Sequence, residues 1–111
     1  MRQLLPSVIT SVKDKSRESN LPDYFHLYQN YPNPFNPETT IGFSIPANSN
    51  VSLKVYNILG KLVALLVNEE KEAGEYRISF NTSDYKLSAG VYFYRLDAGS
   101  FSSTKKLLLL K

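Results

Sequence analysis

The sequence predicts an all-β domain, an immunoglobulin-like antiparallel β-sandwich of about seven strands. Apolar residues recur with a period of two along most of the 111-residue chain, which places alternate side chains on one face of a strand. The apolar runs are short, and turn-forming residues separate them at intervals of roughly 8 to 12 residues. No segment has the amphipathic period of a helix, so we expect strands throughout the domain.

The first three predicted strands follow from this alternation. A short strand occupies residues 24–28, and a second occupies residues 40–45 and ends at Pro46, which cannot donate to a sheet ladder. The third strand occupies residues 51–56 and leads into a turn at residues 57–60. The side chains expected in the core are Ile41, Phe43 and Ile45 of the second strand and Val51, Leu53 and Val55 of the third.

Residues 61–67, KLVALLV, are apolar on both faces. Such a run is typical of a strand covered on two sides, although a short helix fits the same letters. We favour the strand, because the neighbouring segments all alternate as strands do. The charged run NEEKEAGE that follows predicts a hairpin tip, in which Gly74 is free to adopt a positive φ angle.

The remaining strands lie in the last third of the chain. One strand covers residues 76–80, and the polar loop after it, residues 81–90, is closed by Gly90. An aromatic and β-branched strand covers residues 91–96, and after a short turn the last strand covers residues 102–110.

The aromatic strand admits two interpretations. Tyr92 and Tyr94 share one face of the strand, and Phe93 lies on the other. With Arg95, these rings could form a stacking surface for sugars or bases, or one face could pack in the core. We favour the core, because the chain has no Trp, the preferred ring for stacking on sugars.

Composition and charge exclude several classes of function. A chain of 111 residues has room for one domain, in which a deep catalytic cleft is hard to build. The formal net charge is +3, of which residues 1–20 contribute +2, so residues 21–111 are nearly neutral. This distribution does not favour nucleic-acid binding, which needs Lys and Arg gathered on one face. The absence of cysteine excludes thiol nucleophiles, thiolate zinc sites and disulfides.

The beginning of the chain differs from the rest. We expect residues 1–22 to form a flexible basic leader and residues 23–111 to form the ordered domain, because residues 13–22 are polar and lack periodicity. Residues 1–12 faintly resemble a secretory signal peptide but lack a small-residue cleavage site. We expect no transmembrane segment, since apolar residues are scattered. We also expect the chain to be a fragment of a longer protein.

Catalytic and metal-binding patterns are not found in the sequence. His26 is the only histidine, and it lies between two apolar residues of the first predicted strand. Zinc needs several His or Cys ligands, and a calcium loop needs spaced Asp and Asn around a glycine; neither pattern occurs. No glycine-rich phosphate loop follows a strand. We therefore expect no enzymatic activity, no cofactor and no metal.

Five pieces of the sequence stand in a distinctive order. They are YPNPFNPETTIGFSIP at 31–46, VSLKVYNILGKLV at 51–63, Gly74, SAGVYFYRL at 88–96 and TKKLLLLK at 104–111. Together they resemble the type A C-terminal sorting domain of proteins that the type IX secretion system of Bacteroidetes exports. The resemblance covers residues 25–111, nearly all of the expected ordered domain.

This resemblance implies that the domain is an address and not an enzyme. Domains of this family are immunoglobulin-like sandwiches at the end of a larger cargo, and the outer-membrane translocon recognises them in the periplasm. A sortase-like cysteine protease removes them, which here implies cleavage between Ser16 and Tyr24, and the cargo then reaches the cell surface or is released. The cargo domain that the family carries upstream is missing from this chain. An adhesive or structural immunoglobulin-like module is the alternative function.

Two parts of the motif raise a choice between packing and recognition. Each proline of the Asn-Pro-Phe-Asn-Pro block keeps the residue before it extended. Asn33 and Asn36 are expected to bond back to nearby backbone, and Phe35 is expected to plug the edge of the sandwich. The block is then a rigid connector, a recognised surface, or both. The last strand is apolar on both faces at Leu107–Leu110, so it is either covered on two sides or presented to a partner through strand addition.

The motif residues assigned by the resemblance fall into three groups. They are Tyr31, Pro32, Asn33, Pro34, Phe35, Asn36 and Pro37 in the front block, Gly60, Gly90, Tyr92 and Tyr94 in the middle of the domain, and Lys105, Lys106, Leu107, Leu108, Leu109, Leu110 and Lys111 in the last strand.

Overall fold

A computed structural model describes residues 21–110 as seven β-strands and one short 3-10 helix. All seven predicted strands are present, with ends shifted by at most four residues, which is the usual scatter of strand boundaries. In chain order the elements are β1 (His26–Leu27), β2 (Glu38–Ile45), β3 (Ser49–Tyr56), β4 (Leu62–Lys71), β5 (Gly74–Asn81), the 3-10 helix (Thr82–Asp84), β6 (Gly90–Ala98) and β7 (Phe101–Leu109).

The strands form two antiparallel sheets that pack face to face. One sheet has three strands in the order β1-β2-β5, and the other has four in the order β4-β3-β6-β7. The first, second and fifth strands thus share one sheet, and the third, sixth and seventh share the other, as in immunoglobulin domains. The fourth strand joins the third. The predicted immunoglobulin-like sandwich is confirmed.

The core lies between the inner faces of the two sheets. All six side chains predicted to face inward from β2 and β3 are at most 2% exposed. Alternation therefore identified the buried face of both strands, because successive residues of a strand point to opposite faces. The predicted core side chains that the structure buries are Ile41, Phe43, Ile45, Val51, Leu53 and Val55.

The run KLVALLV belongs to a strand, as expected, but the strand is not covered on two sides. β4 lies at an edge of the four-stranded sheet. Only Ala64 and Val67 are buried in it, whereas Leu62 and Leu65 are 46% and 45% exposed. Two register shifts against β3 mark bulges in this strand, a common feature of sheet edges. An apolar run at an edge therefore remained half exposed.

The charged run NEEKEAGE is not the tip of a hairpin. A hairpin joins two strands that pair with each other, but β4 pairs with β3 and β5 pairs with β2. The two residues between β4 and β5 carry the chain from one sheet to the other, and the side chain of Asn48 accepts a hydrogen bond from Ala73 N at 3.0 Å. The predicted hairpin was wrong because a sheet-crossing link and a hairpin turn use the same polar residues and glycine.

Some expectations lie outside the described residues. They concern the signal-like residues 1–12, the leader up to residue 20, the cleavage segment from Ser16 to Asn20, and Lys111. The part of the chain that the structure describes contains no helical segment with the length and hydropathy of a membrane span.

Candidate recognition site

The proline-rich block, residues 31–37, lies along the outer edge of the terminal strand β7. We call it the proline strap. Phe35 forms a parallel β-bridge with Leu109. Its N–H donates to the carbonyl of Leu108 at 3.0 Å, and its carbonyl accepts from the N–H of Leu110 at 2.8 Å. The two motifs that stand farthest apart in the sequence are therefore hydrogen-bonded to each other.

The side chain of Asn33 adds a further bond along this edge. Its Oδ1 accepts from the N–H of Leu108 at 3.0 Å. The local side-chain-to-backbone bond expected for Asn33 is thus replaced by a long-range one, and the hydrogen bonds among residues 21–110 include none from the Asn36 side chain. The three X-Pro bonds of the strap, at Pro32, Pro34 and Pro37, are cis.

Phe35 is the one buried residue of the proline strap. It is 2% exposed, and its ring centroid lies 6.2 Å from that of Phe80 across the sandwich. The expected edge plug is therefore present. The other six residues of the strap are exposed, with Tyr31 at 79%. The strap thus anchors by one ring and presents its prolines and asparagines to solvent.

A buried polar network holds the strap from behind. Asn30 and Thr39 are 2% and 1% exposed. Asn30 Nδ2 donates to Thr39 Oγ1 at 3.0 Å and to the carbonyl of Pro32 at 3.1 Å, and Thr39 Oγ1 donates to the same carbonyl at 2.8 Å. Gln29 Nε2 donates to the carbonyl of Lys106 in β7 at 2.8 Å and to Asn30 Oδ1 at 2.7 Å. This network ties the chain before the strap to the terminal strand.

The sequence reasoning missed these polar residues, although one had a usable signal. Thr39 has the same parity as Ile41, Phe43 and Ile45, so the period of two in β2 places it on the inner face. An inward polar residue needs a buried partner. Nothing comparable marks Asn30 or Gln29, whose partners depend on how the chain turns after β1.

Tyr92 and Tyr94 both point into the core, and they do not form a stacking surface. They are 6% and 0% exposed. The hydroxyl of Tyr92 donates to the carbonyl of Ser88 at 2.6 Å. This bond to backbone four residues upstream matches the tyrosine corner of immunoglobulin-like domains, where a Tyr near the start of the sixth strand closes the preceding loop.

Tyr94 links β6 to the chain before the strap. Its hydroxyl donates to the carbonyl of Tyr28 at 2.7 Å and accepts from the N–H of Asn30 at 2.8 Å. Burial raises the pKa of Tyr94 from 10.0 to about 12, and the bond from Asn30 N–H offsets part of that rise. Tyr94 is therefore neutral at physiological pH and serves as a structural hydrogen-bonding group.

The terminal leucines divide between the core and the surface. Leu107 and Leu109 are at most 1% exposed, whereas Leu108 is half-buried on the outer face and Leu110 is 48% exposed. The strand is thus not covered on both sides. Lys105 is half-buried, and Lys106 is exposed.

The edge of β7 is covered over only part of its length. Leu108 turns its backbone N–H and C=O toward the strap, so the alternation of an antiparallel ladder also turns those of Ser102 and Thr104 outward. Neither residue has a backbone hydrogen-bond partner on that side within the described part of the chain. This part of the edge therefore lies beyond the cover that the strap provides.

The two motif glycines lie in different parts of the fold. Gly60, with φ of +83°, closes the turn between β3 and β4, and its N–H donates to the carbonyl of Asn57 at 2.9 Å. Gly90, with φ of +144°, begins β6 directly opposite Leu109 of the terminal strand. Gly90 therefore lies in the same sheet edge region as the strap, and Gly60 lies near the opposite edge strand.

The described residues contain no cluster of three His, Cys, Asp or Glu side chains that could hold a metal ion. His26 is exposed on β1, and its ring lies edge-on to that of Tyr28 with centroids 4.4 Å apart. The geometry does bring together the strap, the start of β6 and the end of β7.

Comparisons with known proteins concern the fold and the family. In fold, the chain resembles part of PorZ, a surface component of the type-IX secretion system of Porphyromonas gingivalis, with a TM-score of 0.52 and 19% identity. The match covers 80% of this chain and 12% of PorZ, so the chain spans a small part of that protein. The Ig1 domain of mouse SynCAM 2 also matches, with a TM-score of 0.38 and 16% identity over 79% of this chain and 94% of that one.

No curated protein matches the chain in sequence. The profile of the family described as the secretion system C-terminal sorting domain does match, over residues 29–110. That range runs from the residue before Asn30 to Leu110, so it contains the strap, the polar network behind it and the edge of β7. The chain belongs to the family of secretion system C-terminal sorting domains.

Proposed function

We propose that this chain is the sorting signal of a cargo protein exported by the type IX secretion system. The observation that carries the proposal is the single edge formed by the proline strap and the terminal strand, joined through Phe35, Leu108 and Leu110. A protein that recognises this edge can bind it only when both ends of the domain are present and folded. Membership of the sorting-domain family supports the same role.

The strap and β7 together offer two kinds of contact to the outer-membrane translocon. The exposed prolines and asparagines of the strap are held rigid, so a partner that binds them loses little conformational entropy. The outward backbone groups of Ser102 and Thr104 allow a partner strand to be added to the sheet. Lys105 and Lys106 lie beside these groups and limit uncontrolled pairing.

The proposed route follows that of the family. The cargo precedes the linker of residues 1–22, which joins it to the sorting domain of residues 23–111. The domain crosses the periplasm with its cargo, and a sortase-like cysteine protease then cuts between Ser16 and Tyr24. The cargo is left at the cell surface or is released, and the domain itself has no catalytic role.

A fusion experiment tests this function. Residues 16–111, which include the proposed cleavage segment, are fused after a signal peptide and a fluorescent reporter. The fusion is expressed in a host that has the type IX system. We expect the reporter outside the cell with the domain removed, and in the periplasm when the same host lacks the translocon. An intact fusion that stays in the periplasm of the complete host contradicts the proposal and favours an adhesive module.

Deletion of the last five residues does not test recognition, because it removes two core leucines, Leu107 and Leu109. Thr104→Pro is a more specific test of strand addition than this deletion. The Thr104 N–H points away from β6, so proline removes no ladder bond there, but its ring blocks strand addition. Ser103→Pro is the matched control, since its N–H faces Leu96 in the ladder and its loss destabilises the fold. A folded Thr104→Pro fusion with normal export excludes strand addition at this edge.

A further inference from the structure

The turn between β3 and β4 presents two large aliphatic side chains to solvent. Leu59 is 87% exposed and Ile58 is 70% exposed, and Leu59 is the most exposed large apolar side chain of residues 21–110. We call this pair the apolar tip. Turns are normally polar, and a single exposed aliphatic residue needs no explanation, but two at the end of one hairpin mark a contact surface.

The apolar tip is held in one conformation. The side chain of Asn57 accepts from the N–H of Leu59 at 2.9 Å and from the N–H of Lys61 at 3.0 Å. Gly60 adopts the positive φ that closes the turn, and its N–H donates to the carbonyl of Asn57. Because the backbone is already ordered, Ile58 and Leu59 can enter a binding pocket at a small entropic cost.

The surface beside the tip is concave, and two lysines lie close to the tip, one in the groove wall and one next in the chain. A groove of about 340 Å³ runs between the turn and the loop before β6, with Ile58 on one wall and Lys86 and Leu87 on the other. Lys61 follows the tip and is exposed. Lys86 is the one charged residue among those that line this groove, and none of them is acidic. A complementary partner surface is apolar at its centre and carries carboxylates at its rim.

We infer that the apolar tip is a second anchor of the sorting domain, one that inserts into an apolar pocket with an acidic rim on the recognising protein. The inference rests on the proposed function and adds a contact to it. β4 and β7 are opposite edges of the four-stranded sheet, so the tip is not part of the edge formed by the proline strap, although the groove beside the tip reaches the start of β6 at Gly90. A recognising protein that engages both must therefore reach across the sheet from β7 to the turn before β4.

A protein pocket fits the tip better than a lipid surface. Binding to anionic membranes by charge takes clusters of several Lys and Arg, whereas the groove and the turn supply Lys61 and Lys86. A tip of two aliphatic side chains likewise gives only marginal insertion into a bilayer. In a protein pocket, by contrast, both side chains can be removed from water completely, and the free energy gained rises with the apolar area that is buried.

The test uses the export fusion with the double variant Ile58→Ser/Leu59→Ser. We expect at least about a tenfold fall in exported reporter, because a central anchor is lost, while the melting temperature of the purified domain stays within about 3 °C of the unaltered one. Leu65→Ser is the matched control, since Leu65 is also a half-exposed aliphatic residue but lies within β4, away from the turn. Lys86→Glu should also lower export.

The outcomes separate the tip from the sorting function. Export of the double variant at the level of the unaltered fusion overturns the inference and leaves the proposed function intact. Failure of the unaltered fusion to be exported contradicts the proposed function itself. Sedimentation of the purified domain with phosphatidylglycerol vesicles, lost in the double variant, would assign the tip to a lipid surface and overturn the protein partner.

Discussion

The side chain of Asn33 accepts a hydrogen bond from the backbone N–H of Leu108, which lies 75 residues later in the chain. Together with the bridge between Phe35 and Leu109, this bond covers the end of a strand whose backbone groups otherwise face solvent. Uncovered edges of this kind promote edge-to-edge aggregation. The proline strap therefore protects the terminal strand and at the same time joins the first and last motifs of the domain into one surface.

The Asn33 bond makes Asn33→Ala a test of the joined edge. The variant leaves the N–H of Leu108 without its partner, and we expect a loss of about 1 kcal/mol in the free energy of unfolding. Hydrogen exchange at the Leu108 amide should accelerate as well. Asn36→Ala is the control, because Asn36 lies in the same strap and is exposed. Equal effects of the two variants would contradict a specific role for Asn33.

Phe35 should contribute more to the free energy of unfolding than any other residue of the strap. Phe35→Ala removes a ring that is 2% exposed, so we expect a loss of about 3–5 kcal/mol in urea denaturation, enough to unfold much of a small domain. Tyr31→Ala, in the same strap at 79% exposure, should change the unfolding free energy by less than about 0.5 kcal/mol. A Phe35→Ala domain as stable as the unaltered one would mean that the strap is not anchored through this ring.

The raised pKa of Tyr94 predicts that the domain loses stability at alkaline pH. Its folded pKa of about 12 exceeds the ordinary 10.0, so the folded state keeps a proton that the unfolded state releases. The stabilisation is complete below pH 10 and is lost as the pH rises through about 12, with a total on the order of 2 kcal/mol.

Tyr94→Phe checks this linkage. At neutral pH the variant should be less stable by about 1–3 kcal/mol, because the N–H of Asn30 and the carbonyl of Tyr28 lose their buried partner. Urea midpoints at about pH 9 and pH 11.5 should show the gap between the two proteins narrowing as the pH rises. A gap that is constant over this range would rule out Tyr94 as the titrating group.

The stability lost when Gly60 is replaced should depend only on how readily the new residue adopts a positive φ. A Cβ at this position meets no atom within 4 Å, so Gly60→Ala is strained only by its φ of +83°. We expect a loss of about 1–2 kcal/mol, or roughly 4–8 °C in melting temperature for each kcal/mol. Gly60→Asn should cost less, since Asn enters the left-handed region more readily. Equal losses for Ala and Asn would point to a cause other than φ.

The predicted strands and their buried faces were largely right, because alternation is a property of neighbouring residues. Ile41, Phe43 and Ile45 face the core as their spacing requires. The same period also placed Tyr92 and Tyr94 on one face, but it could not say whether that face was the core. Packing against the opposite sheet decided it, and both rings are buried.

Two errors share a cause. The expected cover over both faces of β4 and the expected hairpin at NEEKEAGE were statements about which elements lie next to one another. Both depend on strand order, and the letters of one segment do not determine its position in a sheet. Leu62 and Leu65 are exposed because β4 lies at an edge, and Gly74 begins a strand of the other sheet.

By itself, the sequence determined the strand content, the inward faces of β2 and β3, the turn at Gly60 and the resemblance to a sorting-domain family. Only the tertiary structure decided that the proline strap lies along β7, that Asn30 and Thr39 form a buried network behind it, and that Ile58 and Leu59 protrude at a rigid turn. The physical reason is the separation along the chain over which each kind of interaction acts. Alternation and turn chemistry act between neighbours in the chain, whereas edge pairing and burial arise when segments tens of residues apart come into contact.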